Sequence, residues 1–358
     1  MDYGTIFFTL LQTMKYIFLA LFFFLLLSPT PLVAQSQGEL MEAVVKNIER
    51  NNTTTVQIKN GSLAGREYVV SSAVKTVSDI SYKKGDNVVI SLNHSPTGDT
   101  VYITDFVRRP SLFILVALFV FLIILVARWQ GLSSLLGMFF SFLIIGQLII
   151  PNILLGNDPL LISLFGAFFI IPVTFYLSHG LHKKTTVAIG GTFVCLLLIA
   201  LLSLLFVEAA KLTGFASEEA LYVEIIKGTA LNLKSILLAG FIVGAMAVLN
   251  DITISQASIV QELYRTNPRL KMREAYTTAM AVGRDHVASL VNTLVLVYAG
   301  ASLPLFLLFY NSHLSYAQVI NQEVIATEIV RTLVSSSGIV VAVPVTTAIA
   351  CYFLRKNA

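Results

Sequence analysis

Two stretches of otherwise apolar sequence carry carboxylates, hydroxyls and amides at helical spacing. In the first, Asp251, Ser255, Ser258 and Glu262 recur at steps of four, three and four, with Asn250 and Gln256 beside them. In the second, Asp285, Ser289 and Asn292 recur at four and three, with Thr293, Arg284 and His286 alongside. At about 100° per residue, each set falls in one narrow stripe of a helix. A carboxylate facing lipid at the centre of a span costs about 2.5–3.5 kcal/mol on insertion scales. Both stripes are therefore expected to face protein or a watery cavity, and each other. Their carboxylates, with Arg284, have the chemistry to bind a cation, to exchange protons or to neutralise one another. Asp251 leads the candidates, because no Lys or Arg lies within a helical turn of it. The plainer readings are that span hydroxyls bond neighbouring helices or their own backbone, that Arg284 and Asp285 form a structural ion pair, and that His286 is interfacial rather than a metal ligand.

The elements that position these stripes belong to an integral membrane protein. The chain has 358 residues, of which 56% are hydrophobic and 12% charged, against about 25% charged in an average soluble domain. A net charge of +4 from scattered Lys and Arg excludes the gathered basic face of a nucleic-acid binder. Cys195 and Cys351 both lie in apolar runs, so neither a disulfide framework nor a thiolate zinc site is expected. Seven apolar runs approach the roughly 20 residues that a helix needs to span hydrocarbon: 111–127, 132–151, 160–178, 186–207, 235–257, 286–309 and 331–354. At about 1.5 Å per residue, Asp251 lies roughly 25 Å along the fifth, in the cytoplasmic half. Glu262, Arg284 and Asp285 fall near the inner boundary, so a polar pocket open to the cytoplasm is expected between the fifth and sixth spans.

Residues 1–34 have the shape of a signal peptide or an uncleaved signal anchor, with Lys15, an apolar run, Pro29 and Pro31, and Ala34 at the cleavage position. Met14 opens a better signal than Met1. Residues 35–109 alternate β-branched and aromatic residues between turns at Asn60 and Gly61, at residues 84–86 and at residues 96–99. They predict four or five strands in a small exported barrel of OB or SH3-like type; His94 is a lone loop histidine. Residues 110–358 form the seven-helix transmembrane bundle, or eight helices if the signal stays. Basic residues concentrate in the connections that this arrangement places inside: Arg128, Lys183, Lys184, Arg265, Arg269, Lys271, Arg273, Arg284, Arg355 and Lys356. The C-terminus is then cytoplasmic, in a cell membrane. Residues 217–233 and 316–330 read as amphipathic helices in the outer interface. Asn267 and Pro268 read as the start of a separate cytoplasmic amphipathic helix. Gly240 and Gly244 form a small-residue packing face, and Pro304, Pro344, Ser335, Ser336 and Ser337 mark kinks or half-helices.

Residues 249–309 contain NDITISQASIVQEL, then Asn267 and Pro268, then VGRDHVASLVNTLVLVYAGASLPL, and residues 328–350 read EIVRTLVSSSGIVVAVPVTTAIA. These resemble the YibE/F family of bacterial membrane proteins. The resemblance extends more loosely over residues 39–354 through GDNVVISL and the RRP before the first span. Where many members carry two acidic residues, this chain has Asn250 and Asp251, which argues against a required pair of adjacent carboxylates. The resemblance implies a multi-pass membrane protein with an exported N-terminal segment and no particular activity.

No HExxH, GxSxG, P-loop or CxxC occurs, so hydrolase, nucleotide-driven and redox signatures are missing. No catalytic or cofactor-binding residue is nominated, no cofactor is implied, and the sequence leaves a metal open. The first reading is a transporter whose pocket uses Asp251, Ser255, Ser258, Glu262, Arg284, Asp285, Ser289 and Asn292. The second is a sensor, scaffold or assembly factor acting through the exported β domain. The third is an intramembrane hydrolase using Asp251 and Asp285. The partners implied are the lipid bilayer, a small ion or metabolite, and a second copy of the chain.

Overall fold

The computed structural model describes residues 39–48, 53–60, 63–71, 82–93, 100–216, 219–220, 222, 231–310 and 312–355. The signal-like segment 1–34, Gly61, His94, the turn at 96–99 and most of the stretch 217–233 lie outside the described residues. The chain divides into two compact units, with the boundary between Val126 and Ala127.

The first unit is built on five antiparallel strands: β1 (Glu39–Ile48), β2 (Thr53–Ile58), β3 (Glu67–Ser71), β4 (Asn87–Asn93) and β5 (Thr100–Phe106), in the order β3-β2-β1-β4-β5. They curl into a half-barrel. The strand period of two decides its core: Met41, Ala43 and Val45 point inward from β1, Val56 and Ile58 from β2, and Val88, Ile90 and Leu92 from β4. β1 is the longest strand and the central one. Its sequence, ELMEAVVKNI, is rich in residues that favour helices, and only the pairing on both sides makes it a strand. Asp105 accepts from Arg108 at 2.6 Å and from the Phe106 amide at 2.8 Å. The Arg108 bond above all holds its carboxyl below the usual carboxylate range. Burial, then the nearby Asp105 charge, pushes the Tyr82 phenol up. Arg109, which opens the first helix, pairs with Glu42 of β1.

The helices are α1 (Arg109–Leu154), α2 (Pro159–His179), α3 (Lys183–Ala209), α4 (Leu233–Thr266), α5 (Met272–Ala301), α6 (Leu303–Tyr310), α7 (Tyr316–Ile320) and α8 (Glu323–Leu354). Five are long and apolar enough to cross a membrane, or six if the bent pair α5 and α6 counts as one span. These helices are compatible with a multi-pass membrane protein. Seven spans were expected, and the difference lies partly in α1, where the first two run together as 46 residues. Its backbone leaves the helical region at Arg128, at φ 51 and ψ −130, a conformation that suits glycine better than a residue with a Cβ. The break falls in the gap predicted between residues 127 and 132.

Three other expectations change. The helix expected to begin at Asn267 and end before the sixth span is instead continuous with it. Asn267 makes the turn out of α4, its Oδ1 accepting from the Arg269 amide at 3.2 Å, and α5 then runs unbroken for 30 residues. A bend of 65° follows at Ser302, and Pro304 occupies the first turn of α6, where a missing amide proton costs nothing. The stretch 316–330 divides between the single turn of α7 and the first turns of α8. Pro344 sits within α8, and α8 continues through it.

In the second unit α8 packs on α3, α4 and α5, and α4 also packs on α2 and α3. Two ends can be told apart. At one, Asp158 caps α2 and accepts from Ser235 at 3.1 Å, Lys234 pairs with Glu208, and Glu323 accepts from the amides of Thr213 (2.6 Å) and Gly214 (3.0 Å). Gly214 has φ +88, and a Cβ there would lie 2.4 Å from the Leu233 carbonyl oxygen, so only glycine fits. At the other end, the Tyr264 hydroxyl donates to the Cys351 carbonyl at 3.3 Å, beside the junction of α2 and α3.

Candidate functional site

Helix α4 positions most of the chemistry. Its 34 residues make it about 51 Å long at 1.5 Å per residue, and Asp251 lies near the middle. One face is buried: Leu249, Ile252, Thr253, Gln256, Ala257 and Val260. The predicted stripe runs along the edge of that face. Asp251 and Glu262 are exposed, and Ser255 and Ser258 are half-buried.

The two stripes do not face each other along their length. Among the described residues one side-chain hydrogen bond joins the two helices here, with Ser255 Oγ and His286 Nδ1 3.4 Å apart. α5 instead presents Ala275, Ala279 and Gly283 to its neighbours, and that leaves Arg284, Asp285, Ser289, Asn292 and Thr293 exposed. The reason is Gly283: a Cβ there would lie 2.5 Å from Val343 Cγ1 and 2.9 Å from Gln256 Nε2, so α5 packs tightly against α8 and α4 at this position. The next residues, Arg284 and Asp285, are turned about 100° and 200° away. Among the described residues Arg284 and Asp285 form no ion pair, and no hydrogen bond links Asp251 to Asp285. Glu262 pairs with Arg265 of its own helix at 2.8 Å and stays apart from Asp251.

An imidazole that the sequence did not single out lies near Asp251. His179 ends α2, and it and Asp251 are close enough to interact electrostatically. The site brought together is therefore Asp251 with His179 and, one turn along α4, Ser255 with His286. Each is a separate pair, an imidazole beside a carboxylate and an imidazole beside a hydroxyl, and either can pass a proton or bond a small polar solute. Among the described residues no three His, Cys, Asp or Glu side chains gather as a metal site. Nothing in the spacing of α2 announces His179, since its pairing depends on how α2 and α4 pack.

The sequence also gave little sign of a polar seam inside the bundle. Thr192 of α3 and Thr253 of α4 are both fully buried, with their Oγ1 atoms 2.8 Å apart. Their own helices offer the carbonyls of Ala188 at 2.9 Å and Leu249 at 2.8 Å. Thr253 Oγ1 also lies 3.3 Å from the Asn250 carbonyl, so two hydroxyl protons serve four contacts, and one threonine donates to the other, which donates to its helix. Thr347 Oγ1 lies 2.9 Å from Gln256 Oε1 and 2.6 Å from the Val343 carbonyl. Gln256 is fully buried, and its Nε2 has no hydrogen-bond partner among the described residues. The tight glycines lie in this region. A Cβ on Gly191 would meet Thr346 Oγ1 at 2.5 Å, and one on Gly338 would meet Ile199 Cδ1 at 2.2 Å. Gly240, expected in a packing face, has nothing within 4 Å of a Cβ position, and Gly244 only Tyr298 Oη at 3.7 Å. A charged pair also went unread: Arg331 of α8 bonds Glu328 at 2.8 Å and lies 5.4 Å from the Phe241 ring centre. Cys195 and Cys351 are buried free thiols.

No curated protein and no solved structure matches this chain. The sequence profile of the YibE/F-like protein family matches residues 115–356, from within α1 to the end of α8 and most of the chain. The match takes in every helix that carries the site, and the chain belongs to the YibE/F-like family.

Proposed function

We propose that the protein is a seven-span transporter of a small ion or metabolite, with Asp251 as the group that engages the solute. The span count follows from lengths. At about 1.5 Å per residue, α1 is roughly 69 Å long, more than twice the roughly 30 Å of hydrocarbon. Divided at Arg128, it supplies two spans; α5 with α6 supplies another, and α2, α3, α4 and α8 complete seven. The end of the bundle with Lys183, Lys184, Arg265, Arg269, Lys271, Arg273 and Arg355 is then cytoplasmic by the positive-inside rule. The β half-barrel and the Glu323 end are extracytoplasmic, and the setting is a bacterial cell membrane.

The observation that carries the reading is a carboxylate exposed at mid-helix of an apolar span, with His179 close enough to interact with it electrostatically. Ionisable groups in such places commonly mark solute or proton pathways. Ser255, Ser258 and His286 continue the polar edge toward the basic end, where Glu262 lies. Arg284, Asp285, Ser289 and Asn292 form a separate exposed edge on α5, lining the path from its other side or meeting a second copy of the chain.

The test is flux in sealed proteoliposomes loaded with a pH-sensitive dye and challenged with a panel of cations, anions and small metabolites. Wild type should show a solute-dependent signal. Asp251→Asn should reconstitute equally well and lose at least nine-tenths of it. A signal unchanged in Asp251→Asn removes Asp251 from the path.

An observation on the half-barrel favours a second reading, in which the chain senses or assembles rather than transports. Leu40 of β1 and Tyr102 of β5 both pair with Ser91 of β4 and lie exposed in one row of the outer face. Replacing both with Ser would abolish the phenotype on that reading and leave it unchanged on the first. No hydrogen bond joins Asp251 to Asp285 among the described residues, so the hydrolase reading has no observation in its favour.

A further inference from the structure

At the basic end of the helical unit, the junction of α2 and α3 and the last turns of α4 and α8 enclose an open cavity of about 560 Å³. His182, Lys183, Gln261 and Arg265 supply its polar wall, and Leu181 and Leu354 are among the apolar residues. No carboxylate lines it among the described residues. Glu262 stands behind Arg265 and takes Nε and one terminal nitrogen through a single oxygen, at 3.2 and 2.8 Å. The other terminal nitrogen of Arg265 and the Lys183 ammonium have no partner among the described residues. The backbone adds to this charge. α3 begins at Lys183 with no side-chain cap from His182, and both residues line the cavity, so the uncapped, positive dipole end of a 27-residue helix lies at its wall.

Two cations, two further polar side chains and an uncapped helix start around one cavity select an anion with several acceptor oxygens. We propose that the cavity binds a phosphate-bearing anion, held by Lys183, Arg265 and the first-turn amides of α3. The adjoining leucines suit a ligand with an apolar part, such as the glycerol and first acyl carbons of an anionic lipid. A soluble phosphate would use the polar wall alone. Asp251 and His179 do not line this cavity, and the failure of this proposal would leave the transport reading untouched.

The experiment measures the unfolding temperature of the full chain in detergent against rising concentrations of two probes. One is inorganic phosphate, and the other is mixed micelles carrying phosphatidylglycerol, with phosphatidylcholine as the uncharged comparison. Wild type should be stabilised saturably. Lys183→Gln and Arg265→Gln should each raise the apparent dissociation constant about fivefold, the worth of one basic residue at an anionic surface. Lys183→Arg should keep binding, which separates lost charge from lost folding. Lys271→Gln, an exposed cation at the same end, should change nothing. Saturation by phosphate alone identifies a soluble anion, and saturation only by phosphatidylglycerol identifies a lipid headgroup. Saturation by neither probe overturns the proposal. Equal weakening by Lys271→Gln also overturns it, since the attraction would then be that of a diffuse basic surface.

Discussion

Helix α4 carries two kinds of polar residue that differ in what surrounds them. Thr253 and Gln256 are fully buried and bond across to Thr192 and Thr347. Asp251 and Glu262, within a few turns on the same helix, are exposed. The buried set joins three helices where glycines bring backbones close; the exposed set holds the groups that can change charge. A polar residue in a span can thus be a structural tie or a working group, and packing, more than residue type, separates the two. The ties should report on stability and the exposed edge on function.

The largest effects should come from the close approaches. Gly338→Val puts a branched side chain where even a Cβ would lie 2.2 Å from Ile199 Cδ1. Overpacking of this kind costs about 1–3 kcal/mol or more, so the variant should give little monodisperse protein and a clearly lowered unfolding temperature. Gly240→Val, where the space is open, should unfold close to wild type; equal loss in the two would mean that the helices pack differently.

A smaller effect sharpens the buried side. Thr347→Val removes the partner of Gln256 and strands the amide, at a cost of about 1–2 kcal/mol. Adding Gln256→Leu removes the stranded amide, and the double variant should recover most of that stability. Thermal unfolding of the two single variants and the double would read this coupling. Purely additive losses would show that the pair is not a tie.

Much of this organisation is legible in the sequence, and the failures have physical causes. The apolar runs find every long helix because each helix is a continuous apolar stretch, and the gap near Arg128 falls where the backbone breaks. β1 escapes because ELMEAVVKNI is strand only by virtue of β2 and β4. The 65° bend of the sixth predicted span is signalled by Pro304, yet its size depends on packing. The stripes of α4 and α5 are real periodicities, but periodicity says which residues share a face and nothing about which face meets which neighbour. Gly283 decided that for α5 and turned Asp285 outward, and the end of α2 decided it for Asp251 by supplying His179.

The smallest effect concerns the half-barrel. Asp105 is held below its ordinary range by Arg108 and the Phe106 amide, so its carboxylate stabilises the fold above the unfolded value near pH 3.9. That contribution is lost as the pH falls through the lower folded value. Acid titration followed by circular dichroism should show Asp105→Asn losing part of this acid dependence. An identical profile would mean that the Arg108 bond contributes nothing.

The most direct measurement compares unfolding temperatures of wild type, Asp251→Asn and His179→Gln in detergent over a panel of ions, pH values and small metabolites. A solute at about 100 times its dissociation constant stabilises the folded state by about 2.7 kcal/mol. Wild type should shift with at least one solute or with pH, and both variants should unfold near the wild-type baseline but no longer shift. Variants that unfold well below wild type, in a protein that no condition shifts, would make Asp251 and His179 one more structural tie.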